Sequence, residues 1–148
     1  MKVRNHFRNV TPDVDLVSVD TSIEDIIEII SANTASRSVF VIDDDEELVG
    51  IISVREVINI LGAKYLKKRG FGLAHGILAQ TAGDIMRDAE FVDIDDDLEE
   101  ALKISVVHNL DDIPVIEKGK VVGDVDCFEL IKGIKERHKT ERKDGGIS

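Results

Sequence analysis

The segment that decides the fold changes from apolar to polar and back again: Leu48-Val49-Gly50-Ile51-Ile52-Ser53-Val54-Arg55-Glu56-Val57-Ile58. Up to Ile52 it is mostly apolar and β-branched, which is typical of a buried strand. Beyond Ser53 the apolar residues recur at helical spacing, and Ser53 with Glu56 suits the first turn of a helix. The unpaired N–H groups of such a helix start favour an anion. Ser53 can donate to a phosphate oxygen there, and Glu56 can accept from a sugar hydroxyl.

The pattern of this segment and of the residues before it occurs twice. Residues 92–102 match residues 17–27 in pattern, 75 positions further along the chain. Residues 113–117 resemble residues 39–43 in the same way. Each copy reads strand–helix–strand–strand–helix, so we predict an internal duplication of one α/β unit. A unit of about 60 residues buries little surface alone, and we expect the two copies to pack sheet against sheet.

Glycine content and charge suggest the domain boundaries. We predict a first repeat at 1–62, a linker at 63–81, a second repeat at 82–136 and a basic tail at 137–148. Five of the eleven glycines lie between positions 62 and 83, which marks the linker. The tail has little apolar periodicity, and we expect it to fray.

Composition and charge exclude several classes of protein. The net charge of −11 over 148 residues opposes nucleic-acid binding. Association with DNA through the basic tail is therefore only a weak hypothesis, behind the two given at the end of this subsection. No apolar run reaches the roughly 20 residues that span a bilayer, and residues 1–6 lack the apolar core of a secretory signal. Cys127 is the only cysteine, so no internal disulfide forms and we expect a cytoplasmic protein.

Polar runs predict turns and helix ends rather than metal sites. Thr21 or Ser22, each with an acidic residue three positions later, is expected to begin the first helix of the first repeat. The acidic runs at 43–47 and 95–97 lack the spacing of a calcium loop, and we expect a hairpin tip and a helix cap instead. The four histidines lie too far apart for zinc. We predict no metal site.

The residues that usually carry catalysis are not arranged for it. Cys127 falls at a predicted helix start, where a thiolate is stabilised, but no His–Asp pair accompanies it. The serines of residues 31–38 lack a nucleophile elbow, and Gly70-Phe71-Gly72 is not a phosphate-cradling loop. We expect that the protein is not an enzyme.

Taken in order, these motifs resemble a tandem pair of CBS domains, the module named after cystathionine β-synthase. The family reads Gly, two apolar residues, Thr or Ser, two variable residues and Asp, and residues 50–56 fit with Glu56 for Asp. Residues 113–117 (Ile-Pro-Val-Ile-Glu) and 84–86 (Asp-Ile-Met) match two other family motifs, whereas 123–129 departs further.

This resemblance covers roughly residues 3–60 and 82–135. It implies an α/β fold of two βαββα repeats that pack sheet to sheet about a pseudo-twofold axis. It also implies a homodimer, and clefts between the repeats that bind adenine nucleotides or related adenosyl compounds.

The resemblance implies two ligand sites, each joining one repeat to the segment that leads into the other. Carried over residue by residue, the first site comprises Arg37, Ser53, Arg55, Glu56, Arg87, Asp88, Ala89 and Phe91. The second, weaker site comprises Thr11, Pro12, Asp13, Leu16, Asp111, Asp126 and Glu129.

Charge separates the two sites without help from the family. The first offers a hydroxyl, arginines and helix N–H groups, whereas the second offers several carboxylates. A like charge at about 5 Å costs several kcal/mol at an effective dielectric near 20, more than a helix terminus contributes. We therefore expect a phosphate to prefer the first site. The second is either empty or holds an uncharged or cationic adenosyl group such as S-adenosylmethionine.

The leading hypothesis is a regulatory module that senses an AMP-, ADP- or ATP-type ligand and acts on an unidentified effector protein. No cofactor is required. The alternative hypothesis is a CBS-pair scaffold for protein–protein interaction whose clefts bind no ligand. Glu56 and Glu129 in place of Asp, and Asp126 in place of Ser or Thr, favour that alternative.

Overall fold

The structure is a computed structural model, and it describes residues 1–32, 38–66 and 78–145. Its elements, in chain order, are a 3₁₀ turn Val3–Asn5, β1 Arg8–Asn9, α1 Pro12–Asp15, β2 Leu16–Ser18, α2 Ile23–Ala32, β3 Ser38–Ile42, β4 Leu48–Ser53, α3 Val54–Leu61, a π turn Gly62–Leu66, α4 Ala82–Ile85, β5 Val92–Asp93, α5 Leu98–His108, β6 Asp112–Glu117, β7 Lys120–Asp126 and α6 Cys127–Gly145.

The chain forms two compact units, each built around one copy of the repeat. One unit is Thr11–Ala89, and the other combines Met1–Val10 with Glu90–Ser148. The first ten residues therefore group with the second copy, although the sequence analysis placed them in the first. Backbone bonds hold them there: Val3 N–H donates to Asp96 O and Arg4 N–H to Ile94 O.

The unit Thr11–Ala89 contains a three-stranded sheet in the order β2-β3-β4. β2 and β3 are parallel, with α2 as the crossover, and β3 and β4 form an antiparallel hairpin. The other unit repeats this arrangement as β5-β6-β7 and adds β1 at the edge beside β7. Each hairpin has a register shift at the same place, after Val41 and after Val115. The predicted α/β duplication is confirmed.

Apolar side chains at matching positions fill both units. The core of Thr11–Ala89 includes Val17, Ile26, Val39, Val41, Ile52, Val57 and Ala82. The positions that correspond to the strands and first helix of this set are buried in the other unit as well: Val92, Ala101, Ile113, Val115 and Val125. β3 and β6 are buried along nearly their whole length, which explains why their sequences are apolar rather than alternating.

The polar runs have the structural roles that their sequences predict. Ser22, not Thr21, begins α2, since its Oγ accepts from the Asp25 N–H at 3.1 Å. Asp43 Oδ1 accepts from two N–H groups of its own turn, so the first acidic run is a hairpin tip. Asp97 accepts from the Glu99 N–H and caps α5, so the second is a helix cap.

Helix α6 continues to Gly145, past the point at which the sequence predicts a frayed tail. Within this extension the Arg137 guanidinium contacts three carboxylates: Asp97 at 2.9 Å, Glu99 at 2.8 Å and Glu141 at 3.3 Å. The first two lie at the start of α5, so the ion pairs attach the final helix to a neighbouring helix.

The described part of the chain contains no helix that is both long and apolar enough to cross a membrane.

In each copy, one strand glycine is covered by a side chain from another segment of the chain. Met86 covers Gly50, and Phe7 covers Gly123. A Cβ on Gly123 would overlap the Phe7 ring and the Arg8 carbonyl, whereas the three atoms nearest to a Cβ on Gly50 all belong to the Met86 side chain. We predict that Gly123→Ala lowers the free energy of unfolding by about 1–3 kcal/mol, because backbone must move. Gly50→Ala is expected to cost less, since a methionine side chain is flexible.

Urea unfolding followed by circular dichroism measures both variants. Equal losses of stability in the two would contradict this explanation.

Candidate functional site

The polar cluster of the first copy lies where β4 becomes α3. Ser53 is the last residue of the strand and precedes the helix with an extended backbone. The Glu56 carboxylate, one turn later, accepts from the Ser53 N–H at 2.9 Å and also from the Ser53 hydroxyl. The predicted capping pair is therefore present, and the two side chains bond to each other.

Arg87 reaches this cluster by backbone pairing. Ile51 and Arg87 exchange two hydrogen bonds, of 3.0 and 2.9 Å, which lay the segment after α4 along β4. As a result Arg87 Nε lies 3.5 Å from Glu56 Oε1. The structure thus brings Ser53, Glu56 and Arg87 together. We call these three residues the Ser53 cluster.

The Ser53 cluster has the donors of an anion site, and its own Glu56 carboxylate is their acceptor. A hydroxyl, a guanidinium and the N–H groups of a helix start are donors, and one carboxylate accepts from two of them. The Glu56 side chain is 16% exposed and that of Arg87 is 40% exposed, so the cluster is accessible from solvent. A phosphate could replace the carboxylate as their acceptor.

The other residues predicted for the first site are less closely grouped. Arg55 and Asp88 are exposed, and Ala89 is half-buried. Phe91 is 52% exposed and belongs to the other unit. Arg37 lies outside the described residues.

The second copy places a different set of charges at the same position. Asp126 and Glu129 form a reciprocal cap: the Asp126 N–H donates to Glu129 Oε1 at 3.1 Å, and the Glu129 N–H to Asp126 Oδ1 at 2.7 Å. Arg8 lies opposite Asp124 in the register of β1 and β7, and its Nη2 is 3.1 Å from Asp124 Oδ2. We call Asp126, Glu129, Arg8 and Asp124 the Asp126 cluster.

Arg8 and Asp124 are site residues that the sequence analysis missed. Arg8 follows Phe7, which covers Gly123, just as Arg87 follows Met86, which covers Gly50. The sequence signal for these residues was an apolar residue followed by arginine, which occurs ahead of each copy.

The Asp126 cluster is the more acidic of the two because carboxylates replace neutral residues at matched register positions. Ser38 faces Ser53 across the first hairpin, whereas Asp112 faces Asp126 across the second. Burial raises the pKa of the Glu129 carboxyl, and the charges of Asp126 and Asp112 raise it as well. The Asp126 N–H and Arg8 oppose this shift.

The remaining residues predicted for the second site are divided between the two units. Asp111 is exposed in the same unit as the Asp126 cluster. The residues 11–16 belong to the other unit, where the Thr11 N–H donates to the buried Asp15 carboxylate at 2.6 Å. Their place in a site with Asp126 stays a prediction.

Comparison with known proteins assigns the family. The model of the CBS domain matches this chain twice, at residues 6–63 and 82–136. The chain belongs to the CBS domain family. A comparison with curated proteins gave no match.

Several solved structures share the architecture of this CBS domain pair. A CBS domain-containing protein from Thermotoga maritima is 30% identical, with a TM-score of 0.75 over 92% of this chain and 95% of that one. CBSX2, solved in complex with AMP, is 20% identical with a TM-score of 0.71, covering 93% and 98%. The CBS domain pair of protein MJ0100, solved with 5′-methylthioadenosine and S-adenosyl-L-methionine, is 16% identical with a TM-score of 0.72, covering 93% and 98%.

Within the described ranges of this CBS pair, no group of three or more His, Cys, Asp or Glu side chains is placed to hold a metal ion. The acidic residues of the Asp126 cluster bond to the backbone and to Arg8 instead.

The raised pKa of Glu129 predicts a pH-dependent stability. A carboxyl whose folded pKa is raised costs nothing well below the unfolded pKa of about 4.3. Its cost grows as the pH rises above that value and is complete above the folded pKa. Glu129→Gln keeps an acceptor for the Asp126 N–H but removes the charge. We expect it to stabilise the protein at pH 7 by less than about 1 kcal/mol, because solvent screens a half-buried group.

Urea unfolding at pH 7 and pH 4 measures this effect. The gain should vanish at pH 4, and Glu136→Gln, which neutralises an exposed glutamate two turns further along α6, should show no such dependence. A gain that persists at pH 4 would contradict the assignment.

Proposed function

We propose that this CBS domain pair is a regulatory module that binds an adenosyl ligand and is not a catalyst. The observation that carries the proposal is the Ser53 cluster, in which a hydroxyl, a guanidinium and a helix start converge on one carboxylate. The related pairs solved with AMP and with S-adenosyl-L-methionine support the ligand class.

We assign an anionic phosphate to the Ser53 cluster because the two clusters differ in charge. A like charge at about 5 Å costs about 3 kcal/mol at an effective dielectric constant of 20. The Asp126 cluster has three carboxylates and one arginine, with Asp112 opposite, and would repel a phosphate. An uncharged or sulfonium-bearing adenosyl group fits that second position better. AMP, ADP or ATP belongs to the first and S-adenosylmethionine to the second.

Binding at the Ser53 cluster would proceed as an exchange of partners. The phosphate takes the Ser53 hydroxyl and the Arg87 guanidinium as donors, and Glu56 is released to accept from a ribose hydroxyl. Because Arg87 is part of a segment paired with β4, this exchange changes the forces on that segment. It constitutes a signal only if the ligand binds two conformational states with different affinity.

The wider site assignments are part of this proposal. They place Arg37, Arg55, Asp88, Ala89 and Phe91 with the first ligand. They place Thr11, Pro12, Asp13, Leu16 and Asp111 with Asp126 and Glu129 at the second. The effector that receives the signal is an unidentified protein, and we expect the module to act in the cytoplasm.

Calorimetric titration with AMP tests the assignment of the phosphate site. Arg87→Ala should weaken AMP binding by about tenfold or more and Ser53→Ala by several-fold, since each removes a hydrogen bond to a charged group. Asp126→Ala should leave affinity unchanged or raise it. Ser31→Ala and Arg142→Ala are matched controls on exposed helix positions. Loss of binding confined to Asp126→Ala would reverse the assignment.

A thermal-shift screen separates the sensor from a scaffold that binds no ligand. At a hundredfold excess over Kd, a ligand adds about 2.7 kcal/mol, or about 5–10 °C for a chain of this size. No shift with AMP, ADP, ATP or S-adenosylmethionine at millimolar concentration would favour the scaffold.

A second candidate function, a protein-interaction scaffold, is favoured by an apolar face on α5 and α6. Val106 and Val107 are 73% and 65% exposed, and Leu102 lies beside them. These residues and Ile134 line a cavity of about 420 Å³ between the two helices. Exposed apolar patches of this kind mark interaction sites. We infer that the partner at this face is a second copy of the chain, so that the protein forms a homodimer.

Substitution within this face tests the homodimer. Val106→Glu is expected to weaken dimerisation by about tenfold or more, because it buries an unpaired charge. Lys118→Glu, at the tip of the β6–β7 hairpin, introduces a glutamate away from the face and should leave the dimer intact. Sedimentation velocity measures both, and an unchanged dimer in Val106→Glu would remove the face from the interface.

A further inference from the structure

The unit Thr11–Ala89 has a concave surface at the edge of its sheet opposite to Arg87. It is a groove of about 510 Å³ between β2, α2 and the tip of the β3–β4 hairpin. Apolar side chains form its floor: Leu16, Val17, Ile29 and Ile42. None of the Ser53 cluster lines it, although Pro12 and Leu16 do and were also predicted for the second ligand site. We call it the acidic groove.

Four carboxylates surround this floor, which gives the groove its name. Asp25 and Glu28 come from α2, and Asp43 and Glu46 from the hairpin. No cation in the described ranges 1–32, 38–66 and 78–145 forms an ion pair with Asp25, Glu28 or Glu46. The negative charges of these carboxylates therefore reinforce one another around one apolar surface.

The fold itself does not require these charges, because the second copy lacks half of them. Lys103 occupies the position of Glu28, 75 residues further along, on the matching face of α5. The β6–β7 hairpin turns through Lys118 and Gly119 alone, both with positive φ, so it has no counterpart of the loop that contains Glu46. The full set of four rim carboxylates therefore belongs to the first copy alone.

We propose that the acidic groove binds a basic, apolar segment of a partner protein, with leucine- or isoleucine-like side chains on the floor and lysine or arginine at the rim. Nucleic acids and anionic lipid headgroups carry the same sign of charge as the rim and are repelled. A peptide segment can present both an apolar face and cations at helical spacing. This surface goes beyond ligand sensing: it describes the class of protein that the module contacts.

A short synthetic amphipathic helix of leucine and lysine is the probe, with a leucine–glutamate version as its counterpart. Fluorescence anisotropy of the labelled peptide with the full chain should show binding of the lysine peptide only. Affinity should fall as salt rises from about 0.05 M to about 0.3 M, because exposed charges are screened. Replacing the leucines by serine should abolish binding.

A charge-reversed variant locates the contact. Glu28→Lys/Glu46→Lys uses residues that the second copy tolerates at a matching helix position and at a turn position with positive φ. We expect binding to weaken by about tenfold or more. Asp44→Lys/Glu100→Lys changes the net charge equally at exposed positions outside the groove and should have little effect.

Equal loss in the two double variants would mean nonspecific attraction to an acidic protein and would overturn the proposal. So would a change from dimer to monomer in Glu28→Lys/Glu46→Lys without peptide, since a second copy would then occupy the groove. Circular dichroism confirms that both variants fold. AMP binding should be unaffected in both, which separates this surface from the proposed ligand site.

Discussion

Both polar clusters depend on one constraint: a short segment must lie flat against the middle of a strand and pair with its backbone. Arg87 pairs with Ile51 in one unit, and Arg8 with Asp124 in the other. A glycine next to each strand partner makes the contact sterically feasible, since Met86 covers Gly50 and Phe7 covers Gly123. The paired segment brings an arginine to a helix start that already has a cap. Among the described residues, this pairing is what places a cation beside the helix N-terminus and its carboxylate.

On this shared frame the side chains produce opposite electrostatics. The first copy has serines at the facing positions 38 and 53, and apolar Ile51 beside the arginine. The second copy has aspartates at the facing positions 112 and 126, and buried Asp124 beside the arginine. Because burial lowers the effective dielectric, these three substitutions at matched positions make the second cluster much more strongly negative than the first. Duplication therefore supplied one scaffold with two different charge patterns.

Most of the architecture could be predicted from local patterns. The apolar runs of β3 and β6 predict buried strands, and the periodicity of Ile23, Ile26, Ile27 and Ile30 predicts the amphipathic helix α2. The acidic runs predict a hairpin tip and a helix cap, since aspartate bonds to nearby N–H groups in both contexts. The extent of α6 was not predictable in this way, because Arg137 bonds to residues about 40 positions away, at the start of α5.

The sequence by itself determined the repeat, the order of the strands and helices within it, and the helix start that contains Ser53 and Glu56. These follow from interactions within a few residues, which periodicity and capping motifs report directly. Only the tertiary structure decided which arginine meets each cap and which aspartates lie around it. Arg8 and Asp124 are 116 positions apart, and their contact depends on strand register and on the space above a glycine. Register between distant segments is set by packing as a whole, so no local pattern of residues contains it.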